Sequence, residues 1–596
     1  MENNNLEILR HSLSHIMACA VKEIWPQTKF TIGPAIENGF YYDFDFGNNK
    51  IIEADLAKIE KKMNHIIKQN LEFKKSEMDI GKAISQEKKS GQIYKVELLK
   101  DLEKEFSAAK NPAGKSKGKN DYKVSYYQLG NFIDLCRGPH IKTSGKIKKG
   151  SFKLSKLAGA YWRGNEKNKM LTRIYGVGFN TKEELDSYLH MAAEAERRDH
   201  KKLGTKLELF AFHKTAPGMP YWLPKGLIIY NELVNFWRQE HSAGGYQEIA
   251  SPLVNKKELW EISGHWEHYQ KDMFIANMGE NEIYGIKPMN CPNAMVVYKL
   301  KTRSYRDLPI RFSDTDYLHR YELSGTLNGL FRVRSFRQDD SHNFIAEDQI
   351  EEEYLRIFAI VDKFYGIFNL SYKFRLGTRP EKYMGDKKTW DKAEAVLHRI
   401  LIKTKGKNGY LIAEGDGAFY GPKVDIIMKD ILNRDWQMGT IQLDFQIPRR
   451  FGLTFTDKDG QEKIPIVIHR VIYGSLERFI GILIEHFAGV FPLWLSPVQV
   501  KIISVGERHI SYCHKVASEL IANNIRVEVD DNNETVGNKI RKAANEKAPY
   551  TLVIGDKEAG SDKLSVRDRG SRETREIGKD DFINEVKLKI IKKIVN

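Results

Sequence analysis

Residues 317–344 read YLHRYELSGTLNGLFRVRSFRQDDSHNF. Arg320, Arg332, Arg334 and Arg337 fall in a strand–loop–strand pattern, the signature of an antiparallel pair. Alternation puts Arg332, Arg334 and Phe336 on one strand face. A guanidinium beside a planar ring can hold a phosphate and stack a base. A basic surface hairpin would carry the same residues.

A second stretch, IVIHRVIYGSLERFIGILIEH at 466–486, reads as a strand ending near Arg470, followed by a helix opened by Gly474 and Ser475. Glu477 and Arg478 fall in its first turn. A cation there opposes the helix dipole. It suits a position that faces a ligand phosphate, or otherwise one that points into solvent.

Outward from these two stretches, strand-like runs QEIASPLV, YGIKPM, SYKFRL, KVDIIM and GTIQLDF alternate with helices from about Lys206 to Pro497. They predict a large, mostly antiparallel sheet with helices against it. Residues 498–596 switch to βαβ spacing, which predicts a small α/β domain with a largely parallel sheet. Residues 1–180 mix helices and short strands, among them the aromatic run NGFYYDFDF at 38–46. Between them, Thr181 and Glu184 form a T-x-x-E capping box before a charged linker helix, predicted over 181–205 and ended by Gly204. The fold class is therefore multidomain α+β, with expected boundaries at 1–180, 181–205, 206–497 and 498–596. A chain of 596 residues is long enough for several domains.

The net charge is +16, which fits either a Lys-rich solvated surface or a polyanionic partner such as nucleic acid. The Lys-rich stretch KNPAGKSKGKNDYK at 110–123 cannot build a core and is expected to loop out as an insertion, about 104–123. No apolar run reaches the ~20 residues that a bilayer span needs, so no membrane association is expected. Four cysteines are too few for a disulfide framework, which favours the cytoplasm.

The motifs gain specificity together. GYQEIASPLV (245–254), KPMNCP (287–292), YRDLPIR (305–311), RQDDSHNF (337–344), TRPEKYMG (378–385), EGDGAFYGPK (414–423), WQMGTIQLDF (436–445) and HRVIYGSLERFIGILIEH (469–486) resemble, in order, those of threonyl-tRNA synthetases. These are class II aminoacyl-tRNA synthetases, and the resemblance covers almost the whole chain. It implies a class II antiparallel-sheet catalytic core, an N-terminal α+β editing domain and a C-terminal α/β anticodon-binding domain. It implies a ligase that uses ATP to join L-threonine to tRNA(Thr), and a homodimer formed through the segment around Pro252.

By that resemblance, Cys291, His342 and His469 hold one Zn2+. Three protein ligands leave a position open for substrate. Gln338, Asp340 and Tyr420 take threonine. Arg320, Glu322, Arg332, Phe336, Gln437 and Arg478 take ATP with its Mg2+, Lys423 lines the catalytic site, and His265 assists transfer to the tRNA. A site built around a hydroxyl rejects valine, by up to about 10⁴–10⁵. Asn533, Glu558 and Arg567 match anticodon-reading positions.

Serine keeps the hydroxyl, and its missing methyl is worth only about 1–3 kcal/mol, so a hydrolytic second sieve is needed. His11 and His15 in RHSLSH, with Cys136 and His140 in CRGPH, have four-residue spacings that on their own suggest a metal site. The family resemblance instead implies a metal-free pocket of His11, His15, Tyr42, Lys95, Asp134, Cys136 and His140 that hydrolyses Ser-tRNA(Thr). The apolar stripe Leu9, Leu13, Ile16, Ala20, Ile24 leaves His11 and His15 on the opposite helix face, outside the core.

Three departures stand out. The small extra domain that many relatives carry before the editing domain is expected to be absent. MNCPNA stands where MNCPGH is usual, and HRYELSG where HRNE followed by Pro is common. Two other functions compatible with parts of the chain are an RNA-binding regulator descended from a synthetase and a zinc hydrolase working at the N-terminal site. The retained arginines and zinc positions count against the regulator.

Overall fold

The computed structural model describes residues 2–108, 122–279, 282–430 and 434–594. Most of the Lys-rich insertion, 109–121, lies outside the described residues. The chain forms two compact units, Met1–Ala193 and Glu194–Asn596. No helix among the described residues is long and apolar enough to cross a membrane.

In the first unit, helix Glu2–Ile24 packs Leu13, Ile16, Met17 and Ala20 against Phe40 and Phe44. Phe40 and Phe44 belong to strand Gly39–Asp45, which is central to a five-stranded antiparallel sheet. That strand is buried on both faces, so its aromatic residues do not divide into an inner and an outer set. A second sheet pairs Phe73–Asp79, Lys123–Leu129 and Phe132–Leu135. Its Phe73 and Phe132 rings reach the other side of the first helix and contact His15. The expectation that His15 lies outside the core is therefore corrected. The side chain is enclosed, with 2% exposure, because a second layer covers the face opposite the apolar stripe.

The charged linker is two helices, Lys182–Arg198 and His200–Lys206. Thr181 Oγ1 accepts from the Glu184 amide at 3.2 Å, while Glu184 reaches the Asn180 amide at 2.9 Å, one residue before the predicted cap. The chain breaks at Asp199, whose carboxylate accepts from the Lys201 amide at 2.7 Å and caps the second helix. Gly204 does not end the helix. It lies inside the second one, where a Cβ would meet the Phe210 ring at 2.3 Å, so close packing selects the glycine.

The second unit is built on an eight-stranded sheet. Its order is 247–249, 310–314, 340–345, 466–471, 435–444, 423–429, 372–377, 410–413. All neighbours are antiparallel except the two end pairs. Of the run YGIKPM only its first three residues are strand, within Ile283–Ile286, and that strand belongs to a separate three-stranded sheet. Helices Pro224–Ala243, Ile350–Gly366 and Leu476–His486 supply Trp237, Tyr354, Phe364 and Phe479 to the core that backs the large sheet. The C-terminal sheet orders its strands 527–530, 500–504, 550–554, 563–568, 575–578. The first three are parallel and the last two antiparallel.

Candidate active site

The open face of the large sheet carries a cavity of about 490 Å³. Strands Asp340–Ile345 and Ile466–Val471 pair in register with His342 opposite His469, and the two rings lie 4.9 Å apart. Cys291, the first residue of helix Cys291–Lys299, completes the group. The three ligand atoms lie within 4.8 Å of one another and all three residues are buried. Burial holds the His342 imidazole neutral, well below its usual pKa, and raises the Cys291 thiol.

His342 Nδ1 has no hydrogen-bond partner among the described residues, an arrangement that costs free energy unless something is bound there. His469 Nε2 lies 3.0 Å from Asp444 Oδ2, the partner that typically orients a metal-binding imidazole. One thiol and two imidazoles, an orphaned nitrogen and a supporting carboxylate fit a zinc ion. Asp340 projects into the same cavity and accepts from Asn290 Nδ2 at 3.0 Å. Burial pushes its carboxyl up to about 8, and a nearby cation would draw it down again.

Three cations line the other half of the cavity. Arg320 lies over the Phe336 ring at 5.0 Å and the Tyr269 ring at 5.8 Å. Arg332 pairs with Glu322 at 2.8 Å. Arg478 donates from Nε to Phe331 O at 2.9 Å and from Nη1 to Gln437 O at 3.0 Å. Burial, then the charges of Arg320 and Arg332, lower the Arg478 pKa. Like charges gathered in a partly enclosed cleft mark a site for a polyanion. Arg478 is in the first turn of helix Leu476–His486, which the Ser475 hydroxyl caps at the Arg478 amide.

The predicted shared face of Arg332, Arg334 and Phe336 is corrected. The strand covers only Ser335–Arg337, and the chain bends at Arg334 just before it, so the alternation does not reach back to Arg332. Arg334 turns away to donate to Glu322 O at 2.9 Å, and also to Pro217 O and Ser324 Oγ.

Gln338, Tyr420 and Gln437 line the cavity as expected. Lys423 does not line it. Asp425 and Asp416 hold its amino group at 3.1 and 3.2 Å, beside Arg375. His265 is fully buried behind the wall, with Nδ1 2.8 Å from Ser263 Oγ and Nε2 3.8 Å from Cys291 Sγ. Burial, then the charges of His469 and Arg320, lower it to about 3. Gln442 was not singled out from the sequence, yet it lines the cavity, sits opposite His469 in register and accepts from the Tyr420 hydroxyl. Its period-2 spacing from Thr440 and Asp444 was the available signal.

The first unit holds a second cavity, of about 780 Å³, lined by His11, His15, Tyr42, Lys95, Asp134 and Cys136 among others. Cys136 Sγ lies 3.3 Å from His11 Nε2 and 3.2 Å from His140 Nε2. His140 stacks behind His11, with ring centroids 4.3 Å apart, and does not line the cavity. Lys95 meets Asp134 at 2.7 Å, and the Tyr42 hydroxyl donates to the same carboxylate at 2.7 Å. His11, Cys136 and His140 are close enough to share a cation, whereas His15 stands outside that group. Burial, then the charge of Lys95, lowers His15 to about 3, so its imidazole is neutral.

In the C-terminal sheet domain, Asn533 is exposed on a loop. Glu558 accepts from the Gly555 amide at 3.0 Å, and Arg567 donates to Arg572 O at 3.0 Å.

Comparison with known proteins follows the same division. Residues 274–487 match the model of the tRNA synthetase class II core domain (G, H, P, S and T). Residues 499–589 match the anticodon binding domain, and 124–175 the threonyl and alanyl tRNA synthetase second additional domain. The threonine--tRNA ligase of Carboxydothermus hydrogenoformans is 47% identical over 592 residues, covering 99% of this chain and 90% of that one. That of Clostridium botulinum (strain 657) is 49% identical over 582 residues, covering 98% and 88%. A crystal structure titled as the RNA binding domain of threonyl-tRNA synthetase from Cryptosporidium parvum superposes with a TM-score of 0.63 at 40% identity. It covers 65% of this chain and 97% of that one.

Proposed function

The chain belongs to the threonine--tRNA ligase family of class II aminoacyl-tRNA synthetases, and from that premise we propose how its own residues divide the work. It joins L-threonine to tRNA(Thr) with ATP, first as threonyl-adenylate and then as an ester at the tRNA 3′ end. Its additional domain clears mischarged Ser-tRNA(Thr).

In the first step the threonine carboxylate attacks the α-phosphorus and pyrophosphate leaves. Arg320 and Arg478 neutralise the charge that builds on the phosphates, Arg332 assists, and Mg2+ accompanies ATP. The Phe336 ring stacks on the adenine and Glu322 accepts from it. Cys291, His342 and His469 would hold zinc, which when bound would supply a Lewis acid for the amino group and hydroxyl of threonine. Asp340, Gln338, Tyr420 and Gln442 surround that hydroxyl and leave valine with unpaired polar groups. His265 steadies the wall beside Cys291 during transfer to the tRNA. Lys423, with Asp425 and Arg375, supports Gln437.

In the additional domain, His11, His15, Lys95 and Cys136 position water against the seryl ester, with Tyr42, Asp134 and His140 holding them in place. Asn533, Glu558 and Arg567 face the anticodon, since polar side chains reaching splayed bases are the usual way to read single-stranded RNA. Exposed Leu253 and Val254, next to Pro252, support a homodimer through that segment. The cytoplasm is its place of work, in keeping with four free cysteines.

The observation that carries these assignments is the meeting of the Cys291–His342–His469 triad with Arg320 and Arg478 in one cavity. Threonine-dependent exchange of pyrophosphate into ATP tests it. The assignments fail if the purified chain supplied with zinc shows none.

A further inference from the structure

Asp199, His200 and Glu485 form a third cluster of potential ligand atoms, away from both cavities. Hydrogen bonding decides what it does. His200 is 1% exposed. Its Nε2 lies 3.1 Å from the Leu330 amide, which can only donate, so Nε2 carries no proton. Its Nδ1 lies 2.8 Å from Glu485 Oε1, so Nδ1 donates there, and the same oxygen accepts from the His200 amide at 3.2 Å. Both ring nitrogens are used, and none is left for a metal.

The ring thus ties together three parts of the second unit. They are the start of helix His200–Lys206, the end of helix Leu476–His486 and the turn Gly329–Phe331. Two glycines let them approach. A Cβ on Gly329 would come 2.3 Å from His200 Nε2, and one on Gly481 would meet the Phe331 ring at 3.0 Å. The His200 and Phe331 rings lie 4.1 Å apart. One residue beyond the anchored Leu330 amide, the Phe331 carbonyl accepts from Arg478 Nε at 2.9 Å, and Phe331 and Arg332 line the active-site cavity.

We propose that His200 is a positioning residue for ATP. By accepting the Leu330 amide it seats the turn whose Phe331 carbonyl aims Arg478 and whose next residue is Arg332. The proposal rests on the assignment of Arg478 and Arg332 to the nucleotide. His200 touches no substrate. It acts through a backbone amide, so the chemistry it needs is an acceptor at the Nε2 position. The Glu485 contact fixes the tautomer that provides the acceptor.

Two amides separate this role from general packing. In His200→Gln the side-chain oxygen can take the Nε2 position and still accept from Leu330. In His200→Asn the amide can still donate to Glu485 but falls short of Leu330. Pyrophosphate exchange on the full chain should show His200→Asn raising the KM for ATP about fivefold or more, the scale of one lost buried hydrogen bond. The KM for threonine should move less than about twofold, and His200→Gln should return the KM for ATP to within about twofold of the parent. Gly329→Ala, which disturbs the same contact from the other side, should also raise the KM for ATP selectively. The proposal is overturned if the Gln and Asn variants behave alike, or if the KM values for ATP and threonine rise together. Arg478→Ala run alongside separates the two levels. If it leaves the KM for ATP unchanged, the nucleotide assignment is wrong. If it raises that KM and His200→Asn does not, only the role of His200 is.

Discussion

His342 and His469 sit directly opposite each other on neighbouring antiparallel strands, with ring centroids 4.9 Å apart, and His469 is backed by Asp444 at 3.0 Å. The register of one strand pair therefore makes two-thirds of the proposed zinc site. Cys291→Ser and His342→Ala should each take bound zinc from one per chain to none and cut threonine activation at least about 100-fold. Asp444→Ala, which removes the backing carboxylate and with it an acceptor for the Gln446 and Ile447 amides, should weaken zinc by about 10–100-fold. Metal analysis after dialysis reads both, and zinc retained by Cys291→Ser would exclude the ligand assignment.

The arginine cluster predicts an electrostatic loss. Arg320→Ala or Arg478→Ala should lower kcat/KM for ATP by about 10²–10³. Arg478→Lys should recover little of it. The guanidinium spans two carbonyl oxygens, Phe331 O and Gln437 O, and an ammonium group on a flexible stem cannot hold both while facing the nucleotide. Steady-state exchange kinetics at varied ATP check this.

The second cavity predicts a separation of activities. His11→Ala with His15→Ala should leave threonylation near the parent rate and let Ser-tRNA(Thr) accumulate. Hydrolysis of preformed Ser-tRNA(Thr) by the double variant at the parent rate would place editing elsewhere.

Lys95 and Asp134 are a buried ion pair, 2.7 Å apart. Removing one partner strands the other charge, so Lys95→Met should destabilise the first unit by about 3–5 kcal/mol. Asp134→Asn added to it should recover part of that loss. Denaturant unfolding of the two variants measures the difference.

His241 is buried with Nε2 accepting from Arg470 Nη1 at 3.0 Å and Nδ1 2.9 Å from Ser313 Oγ. Burial, then the charge of Arg470, holds its pKa well below the ordinary value of about 6.5. As pH falls through 6.5 the unfolded chain takes up a proton that the folded chain refuses. Stability present at pH 7.5 is therefore lost on acidification, by about 2 kcal/mol at pH 5 for this one group. Thermal unfolding at the two pH values should show the fall, and His241→Asn should flatten it.

Much of this was legible in the chain. The order and spacing of the motifs specify the family, the strand and helix periods announce the two sheet types, and Ser475 marks the start of its helix. Local periodicity misled wherever a second layer covered a face or the chain bent before a strand. The stripe on the first helix predicted an uncovered His15 because nothing in residues 1–24 shows that Phe73 and Phe132 come back over it. The alternation of Arg332, Arg334 and Phe336 failed because the chain bends at Arg334, before the strand begins.

The residue types were decided by sequence alone: one thiol and two imidazoles for a borderline metal, arginines for phosphates, and paired histidines with a cysteine in the additional domain. Which of them meet was decided by tertiary structure. Cys291, His342 and His469 come together only through strand register and the entry of one helix. His200 reaches Leu330 only because two glycines let separate elements pack at backbone distance. The physical reason is range. Propensity and period act over a few residues, whereas strand pairing and burial join residues hundreds of positions apart and are set by the whole core.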